Sequence, residues 1–169
     1  RLVLFDIAEA ALYEIRPALG DEFTQLPMVT VVGDVKHAAL VEDVLEREKP
    51  NVVFHAAAYK HVPLMEETNA WQAVRNNAYG TWVIARASVA AKVEKFVLVS
   101  TDKAVNPTSV MGASKRLAEI VCQTLQGGGT AFVDAGSEIT VVEVARVVTI
   151  VEPGAVVESD TVVDDVSDG

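Results

Sequence analysis

Residues 95–119 read KFVLVSTDKAVNPTSVMGASKRLAE, and this stretch decides the fold. It begins with the apolar, β-branched run at 96–99, which is typical of a strand buried on both faces. Four polar residues follow, where an open α/β sheet binds its ligand. A helical spacing of apolar residues then starts at Gly112, and Lys115 follows Met111 by one turn on the same face. The stretch therefore predicts a strand, a polar ligand-binding turn and a helix.

Composition limits the class of protein. The chain has 169 residues, and 50% of them are hydrophobic, which is enough for one domain with a sizeable core. A net charge of −10 argues against nucleic acid as a partner. No apolar run is long and uncharged enough to predict a membrane segment in this chain. The single cysteine, Cys122, is predicted to be a buried thiol, and no metal site is predicted.

The motifs STDKAVNP at 100–107 and MGASKRLAE at 111–119 resemble the active-site segment of extended short-chain dehydrogenase/reductases. More narrowly, they resemble the UDP-N-acetylglucosamine 4,6-dehydratases of bacterial polysaccharide and glycan biosynthesis. Most of the superfamily has the Tyr of a Tyr-x-x-x-Lys pair where this chain has Met111, and Met at this position matches the large, membrane-anchored branch of these dehydratases.

The resemblance implies a Rossmann-like, doubly wound parallel sheet, NAD as cofactor, a UDP-sugar as substrate and a homo-oligomer. It implies a cytoplasmic location or, for an anchored full-length protein, the cytoplasmic face of the inner membrane. No G-x-G-x-x-G occurs in the sequence. The fold is therefore expected to be incomplete, without its first strand, its glycine loop and part of the substrate lobe. We expect a truncated NAD-binding Rossmann domain at 1–126, and a residual C-terminal piece with an acidic tail at 127–169.

Secondary structure follows from the periodicity of apolar residues and from turn signals. Further strands are expected at residues 2–5, 29–32, 51–54 and 130–133. Helices are expected at residues 8–19 with Gly20 as the stop, at 37–49, and at about 69–91 with an interruption near Gly80. Thr140 and Glu143 have the spacing of a capping box, which predicts a helix from Thr140.

Several residues are interpreted as structural. His55 is expected to be a packed histidine, and the resemblance implies that Asn77 supports the strand that carries the catalytic residues. Apolar residues of the long helix are expected in the core or in a subunit contact, namely Trp71, Val74, Trp82, Val83 and Ala87.

Two acidic residues follow predicted strands. Asp6 has two interpretations, a carboxylate for the adenosine ribose hydroxyls that favours NAD over NADP, or an N-cap of the next helix. The resemblance favours the ribose. Asp34 and Val35 are implied to contact the adenine ring, and a simple turn built on Gly and Asp is the alternative.

Small residues at a strand end let the backbone approach a cofactor closely, and the resemblance assigns this role to Ala56, Ala57 and Ala58. It also places Ser100 among the cofactor-binding residues. Lys60 is implied to face the nucleotide-sugar, and a solvent-exposed loop lysine is the alternative.

The implied reaction oxidises C4 of the hexose, removes the C5 proton with the C6 hydroxyl, and returns hydride to C6. Lys103 suits the base at C5 and Asp102 the acid at the C6 oxygen, which requires a neutral lysine and a protonated aspartate. Thr101 is expected to bind the C4 oxygen, and Lys115 the nicotinamide ribose. Met111 belongs to the catalytic set by position but transfers no proton. Either water or Asp102 must therefore deprotonate the C4 hydroxyl.

Two other functions remain open on the sequence. A nucleotide-sugar 4-epimerase of the same fold would not need the adjacent Asp102 and Lys103. A cofactor-binding fragment without catalysis would account for the missing glycine loop and substrate lobe.

Overall fold

Parallel strands form two sheets in the computed structural model, which describes residues 1–126 and 138–143. The first sheet pairs β1 (Leu2–Asp6) with β2 (Met28–Val32). The second has the order β3 (Val52–His55), β4 (Lys95–Ser100), β5 (Glu138–Glu143). All pairs are parallel, so within each sheet the carboxyl ends of the strands share one edge.

Helices connect the strands, as a parallel sheet requires. The α-helices are α1 (Glu9–Glu22), α2 (Ala38–Glu48), α3 (Val62–Met65), α4 (Ala70–Ala73), α5 (Gly80–Ala90) and α6 (Val110–Gln126). A π-helical segment at Val74–Tyr79 joins α4 to α5, and a 3₁₀ turn at Asp102–Ala104 follows β4. Within the part of the chain that the structure describes, no helix has the length and apolar character needed to cross a bilayer.

The core fixes β4 against α5 and α6. Phe96 and Leu98 of β4 are 2% and 0% exposed, and they pack with Ala85 of α5 and with Ala118 and Cys122 of α6. Cys122 is thus a buried thiol, as predicted. Since β4 carries the polar turn at its carboxyl end, this packing sets the position of that turn.

A second apolar cluster joins the two sheets. It contains Val41 and Leu45 of α2 and Val83 of α5, with Phe5 of β1 and Val53 of β3 packed against it. Burial of these side chains is the main favourable contribution to the free energy of folding, because the hydrophobic effect scales with apolar area removed from water. Both sheets therefore rest on one core.

The partial Rossmann-like α/β fold is confirmed, and so are the strands predicted at 2–5, 29–32, 51–54 and 96–99, each to within one residue at its ends. One predicted helix stop is wrong. Gly20 lies inside α1, which continues to Glu22. Phe23 donates the last helical hydrogen bond, to the Leu19 carbonyl, and its own backbone (φ −122°, ψ 70°) leaves the helical region, so the helix ends there and not at Gly20.

The helix predicted from Thr140 is also wrong. Thr140 lies in β5, opposite Val97 of β4. Residues 139–142 are all β-branched, which suits a strand, and pairing with the edge of β4 satisfies their backbone groups. The strand predicted at 130–133 lies outside the described residues.

The interruption of the long helix is confirmed as the π-helical segment that ends at Tyr79. A Cβ on Gly80 would lie 2.9 Å from Val35 Cγ1, which is too close for an ordinary contact. Because glycine has no side chain, the loop after β2 that carries Val35 can pack against the helix at this point. Of the apolar residues expected in the core or in a subunit contact, Val83 is 1% exposed and Trp71 is 66% exposed.

Candidate active site

The turn after β4 is held by its own side chains. Thr101 has an extended backbone, and its Oγ1 accepts a long hydrogen bond of 3.4 Å from the Lys103 N–H. The same hydroxyl donates to Asp102 Oδ1 at 2.9 Å. The structure therefore brings Thr101, Asp102 and Lys103 together at the carboxyl edge of the sheet.

Asp102 and Lys103 form an exposed ion pair. Lys103 Nζ lies 3.0 Å from Asp102 Oδ1, and the lysine and aspartate side chains are 54% and 70% exposed. The Lys103 hydrogen bond, followed by that of Thr101, lowers the pKa of Asp102 below its usual value. Asp102 is thus held as a carboxylate in this structure, whereas the acid role expected for it requires the protonated form.

Lys115 of α6 is buried beside this turn, with 4% of its surface exposed. Its Nζ donates to the Val99 carbonyl of β4 at 2.5 Å. Burial lowers the pKa of Lys115, and the Glu119 carboxylate opposes that shift. Glu119 also accepts the Ser100 hydroxyl, so this predicted cofactor residue is engaged inside the protein. Sequence reasoning missed Glu119, although its position one turn after Lys115 on the same helix face was a signal.

Gly112 lets the turn after β4 lie directly on α6. A Cβ at this position would collide with the Lys103 carbonyl oxygen and would lie 3.2 Å from Ser109 Oγ. No side chain fits against the carbonyl, and the obstacle is backbone. Glycine is therefore required for this contact between α6 and the turn.

Met111 lies in the interior, not on the polar turn. It is 4% exposed and packs with Met65 and Ala73. Its carbonyl accepts the Ser114 hydroxyl at 2.7 Å. The thioether thus fills a small apolar cluster at the start of α6.

The π-helical segment connects the loop after β3 to α6. The Asn77 amide accepts from the Tyr59 N–H at 2.8 Å and donates to the Tyr59 carbonyl at 3.1 Å. It also donates to Ser114 Oγ at 2.9 Å. Asn77 therefore fixes the loop that carries Lys60 to the helix that carries Lys115. Such π segments often occur at functional sites.

His55 is a packed histidine, as expected. Its Nε2 lies 2.9 Å from Thr81 Oγ1, and that hydroxyl donates to the Asn77 carbonyl. Thr81 Oγ1 must then accept from His55, which places the imidazole proton on Nε2. Burial, assisted by the charge of Lys115, lowers the pKa of His55 to about 3.

The remaining predicted site residues lie at other strand ends. Asp6 is exposed after β1, and its Oδ1 accepts from the Ala8 N–H at 2.8 Å. Ala56 and Ala57 are exposed after β3, as is Lys60, whereas Ala58 is half-buried. No hydrogen bond or ion pair of the described residues joins these side chains to the turn after β4.

Asp34 forms a simple turn after β2, which is the alternative to an adenine contact that the sequence left open. Its Oδ1 accepts from the Lys36 N–H at 2.8 Å and lies 2.8 Å from Lys36 Nζ. Partial burial raises its pKa, but the hydrogen bonds and charge of Lys36 outweigh that effect and the pKa is lowered. Lys36 Nζ also donates to Asn76 at 3.0 Å. Val35 beside it is buried.

A cleft of about 260 Å³ adjoins the turn after β4. It is lined by Val62, Lys103, Val105, Asn106, Thr108 and Ser109. Ion pair, cleft and buried lysine thus lie at one strand end, where α/β folds bind ligands.

Parallel strands, crossover helices and a polar carboxyl edge define the class as that of Rossmann-like α/β proteins. The particular family follows from the sequence. A family model described as "Polysaccharide biosynthesis protein" matches residues 1–158, and the chain belongs to this family.

Two curated relatives illustrate its range. Capsular polysaccharide biosynthesis protein CapD of Staphylococcus aureus is 44% identical over 126 residues, which are 74% of this chain and 21% of the relative. A UDP-glucose 4-epimerase of Rickettsia rickettsii is 40% identical over 88 residues, 52% of this chain and 25% of the relative. The chain thus spans a minor part of each relative's length.

Solved structures agree with the fold. The X-ray structure of Pen from Bacillus thuringiensis has 29% identity and a TM-score of 0.69, covering 82% of this chain and 40% of that chain. A dTDP-glucose 4,6-dehydratase, DesIV from Streptomyces venezuelae with NAD and TYD bound, has 18% identity and a TM-score of 0.64. The match covers 83% of this chain and 54% of that chain. At this identity the second likeness concerns the fold alone.

We expect Gly112→Ala to destabilise the protein by about 1–3 kcal/mol, because the added methyl group displaces the Lys103 carbonyl. Urea unfolding measures this. Gly20→Ala is the matched control, since its Cβ would lie 3.5 Å from Met28 Cε, an ordinary contact. That change should stabilise by about 0.4–1 kcal/mol. Equal effects of the two substitutions would show that Gly112 is not required for the contact.

The second prediction concerns pH. His55 has a pKa of about 3 in the folded protein, against an ordinary value of 6.5. Below pH 6.5 the unfolded chain therefore binds a proton that the folded chain does not. The free energy of unfolding should fall as the pH is lowered, by up to about 1.4 kcal/mol per pH unit from this group.

Urea unfolding of wild type and His55→Gln between pH 7.5 and 5 measures the contribution. The variant should lose stability less steeply on acidification, whatever its stability at pH 7.5. His37→Gln, at an exposed histidine, serves as the control. Identical slopes in wild type and His55→Gln would contradict a buried neutral imidazole.

Proposed function

We propose that the chain is the NAD-binding and catalytic part of a nucleotide-sugar 4,6-dehydratase that acts on UDP-N-acetylglucosamine in polysaccharide biosynthesis. One observation carries the proposal. Asp102 and Lys103 stand side by side on an open turn, 3.0 Å apart at their charged atoms. Elimination across adjacent carbons needs an acid and a base at this kind of spacing.

The residues at the strand ends fit NAD. The Asp6 carboxylate is exposed, and within residues 1–126 and 138–143 only its Oδ1 has a hydrogen-bond partner, so Oδ2 is open to ribose hydroxyls. Ala56 and Ala57 are small and exposed, which leaves the backbone after β3 open to close approach. Lys115 would hold the nicotinamide ribose, and Asp34 with Val35 would border the adenine. NAD⁺ held by these residues would supply the redox chemistry, as the hydride acceptor at C4 and the hydride donor at C6.

Thr101 and Asp102 provide a route for the C4 hydroxyl proton. Met111 is buried and has no proton to exchange. The Thr101 hydroxyl already donates to Asp102 Oδ1. When it binds the C4 oxygen, the C4 proton passes to the Thr101 oxygen as the Thr101 proton passes to Asp102. This transfer leaves Asp102 protonated, the state that it needs for elimination.

Lys103 then becomes the base. Protonation of Asp102 removes the counter-ion of Lys103, and this change favours the neutral amine. The proton leaves to solvent. Lys103 removes the C5 proton as Asp102 protonates the departing C6 oxygen, which leaves as water. Lys103 finally returns a proton to C5 when hydride reaches C6, and a proton from solvent then restores its ammonium.

An epimerase is the second candidate. The similarity to a UDP-glucose 4-epimerase over 88 residues favours it. Epimerisation would use the C4 oxidation without elimination, and would leave Asp102 and Lys103 without an acid–base role. The same assay distinguishes the two reactions.

We expect Lys103→Ala to reduce formation of the 4-keto-6-deoxy sugar by roughly 10²–10⁴-fold, because the base at C5 is lost. Lys103→Arg keeps the cation but cannot become neutral, and it should be equally impaired. Proton NMR of UDP-N-acetylglucosamine in D₂O with the intact natural protein measures product and C5 exchange. Asp102→Asn should also lose elimination.

Met111→Leu is the control, because it preserves the volume of a buried side chain that moves no proton. It should retain most of the activity. Near wild-type dehydration by Lys103→Ala would refute the assignment of the base. Formation of the C4 epimer alone by the wild type would replace the dehydratase with the epimerase.

The cofactor prediction rests on Asp6. Its charge should repel the 2′-phosphate of NADP, so NAD should bind more tightly. Asp6→Asn keeps an oxygen for the Ala8 N–H and removes only the charge. The variant should therefore show a smaller difference between its affinities for NAD and NADP. Fluorescence titration of both reduced cofactors measures the ratio of dissociation constants. Equal affinities in the wild type would remove Asp6 from this role.

A further inference from the structure

A buried carboxylate connects α6 to the end of β4 just before the catalytic turn. Glu119 is 8% exposed and accepts the Ser100 hydroxyl through Oε1. Its Oε2 accepts from Arg116 Nη1 at 2.8 Å. Both carboxylate oxygens therefore have partners, one in the interior and one towards solvent.

Lys115 reaches the same strand end from one turn earlier. Its Nζ donates to the carbonyl of Val99, the residue that directly precedes Ser100. Two charged side chains of opposite sign thus bind consecutive residues of β4 from one face of α6. Charge-assisted hydrogen bonds of this kind are stronger and more directional than neutral ones.

A buried ammonium is costly unless a negative group compensates it. Glu119 is that group, since its charge favours the protonated form of Lys115 against the effect of burial on the pKa. Other titratable groups around Lys115 are Cys122 on α6 and His55 on β3. Glu143 of β5 occupies the register position opposite Ser100.

We propose that Glu119 is a positioning residue that holds Ser100 in place and keeps Lys115 charged at the cofactor edge. The inference rests on the proposed function, because Lys115 is there the ligand of the nicotinamide ribose. Glu119 touches neither substrate nor cofactor. It acts through Ser100, which precedes Thr101, and through the charge of Lys115.

The direct test does not require turnover. Lys115 Nζ is titrated by ¹⁵N NMR in the intact natural protein, with Lys115→Arg to assign the signal. In Glu119→Gln the titration midpoint should move to lower pH than in the wild type. Arg116→Gln should leave the midpoint in place, because it removes only the solvent-side partner of Glu119. An unchanged midpoint in a folded Glu119→Gln protein would overturn the inference.

Activity measurements distinguish the two roles of Glu119, which are to position Ser100 and to keep Lys115 charged. Because the protonated Lys115 is the active form, the alkaline limb of kcat/KM should move to lower pH in Glu119→Gln, and Glu119→Asp should restore it. Ser100→Ala removes the hydroxyl that Glu119 binds but removes no charge. In this variant kcat/KM should fall, and the alkaline limb of its pH profile should stay at the wild-type pH. If Glu119→Gln does not fold, Ser100→Ala still decides, since wild-type kcat/KM in that variant would refute positioning through Ser100.

Failure of the proposed function gives a different pattern. A wild type without dehydration, with the Lys115 midpoint moving in Glu119→Gln, would refute the dehydratase and leave the coupling of Glu119 to Lys115 intact. A dehydrating wild type with no shift of the midpoint would refute the inference alone.

Discussion

The contact between α6 and the carboxyl end of β4 is the constraint on which the rest of the site depends. Three neighbouring interactions form it. Lys115 binds the Val99 carbonyl, Glu119 binds the Ser100 hydroxyl, and Gly112 admits the Lys103 carbonyl. A strand held only by its sheet could slide along the helix, whereas these contacts fix its last residues. The turn with Thr101, Asp102 and Lys103 begins where they end.

The carboxyl end of β4 combines a buried lysine, Lys115, with an exposed ion pair, Asp102 and Lys103. The two differ in their contact with water. Lys115 is 4% exposed and lies in the protein interior, where electrostatic interactions are stronger. Asp102 and Lys103 remain mostly in water, where an ion pair contributes little to stability. Their arrangement is therefore free to change when a ligand covers them. A fixed cation and an adaptable pair suit a site that binds first and transfers protons afterwards.

The π-helical segment extends this rigidity to the loop after β3. Asn77 binds both backbone groups of Tyr59 and the Ser114 hydroxyl, so it holds the loop and the helix together. Its carbonyl accepts from Thr81, whose oxygen in turn accepts from His55. This buried network is satisfied throughout, and a satisfied polar network favours a single arrangement. The strand ends are thus connected through side chains from α6 and the π segment.

Local patterns in the sequence determined the elements around the site. A β-branched run made β4, the polar turn followed it, and Lys115 came one turn after Met111 because helical spacing is a local property. Asp102 and Lys103 could be placed at the edge because they follow the strand directly. The resemblance carried by the same residues agrees with the family to which the chain belongs.

Only the tertiary structure decided the contacts between distant segments. Thr140 has a local capping pattern, yet it lies in a strand because the edge of β4 offers backbone partners more than forty residues earlier in the chain. Ser100 donates to Glu119, and Met111 turns into an apolar cluster, since each depends on the way α6 packs. The helix α1 continues through Gly20, because the backbone leaves the helical region only at Phe23, three residues later. Spacing specifies which residues share a face, and packing determines what that face meets.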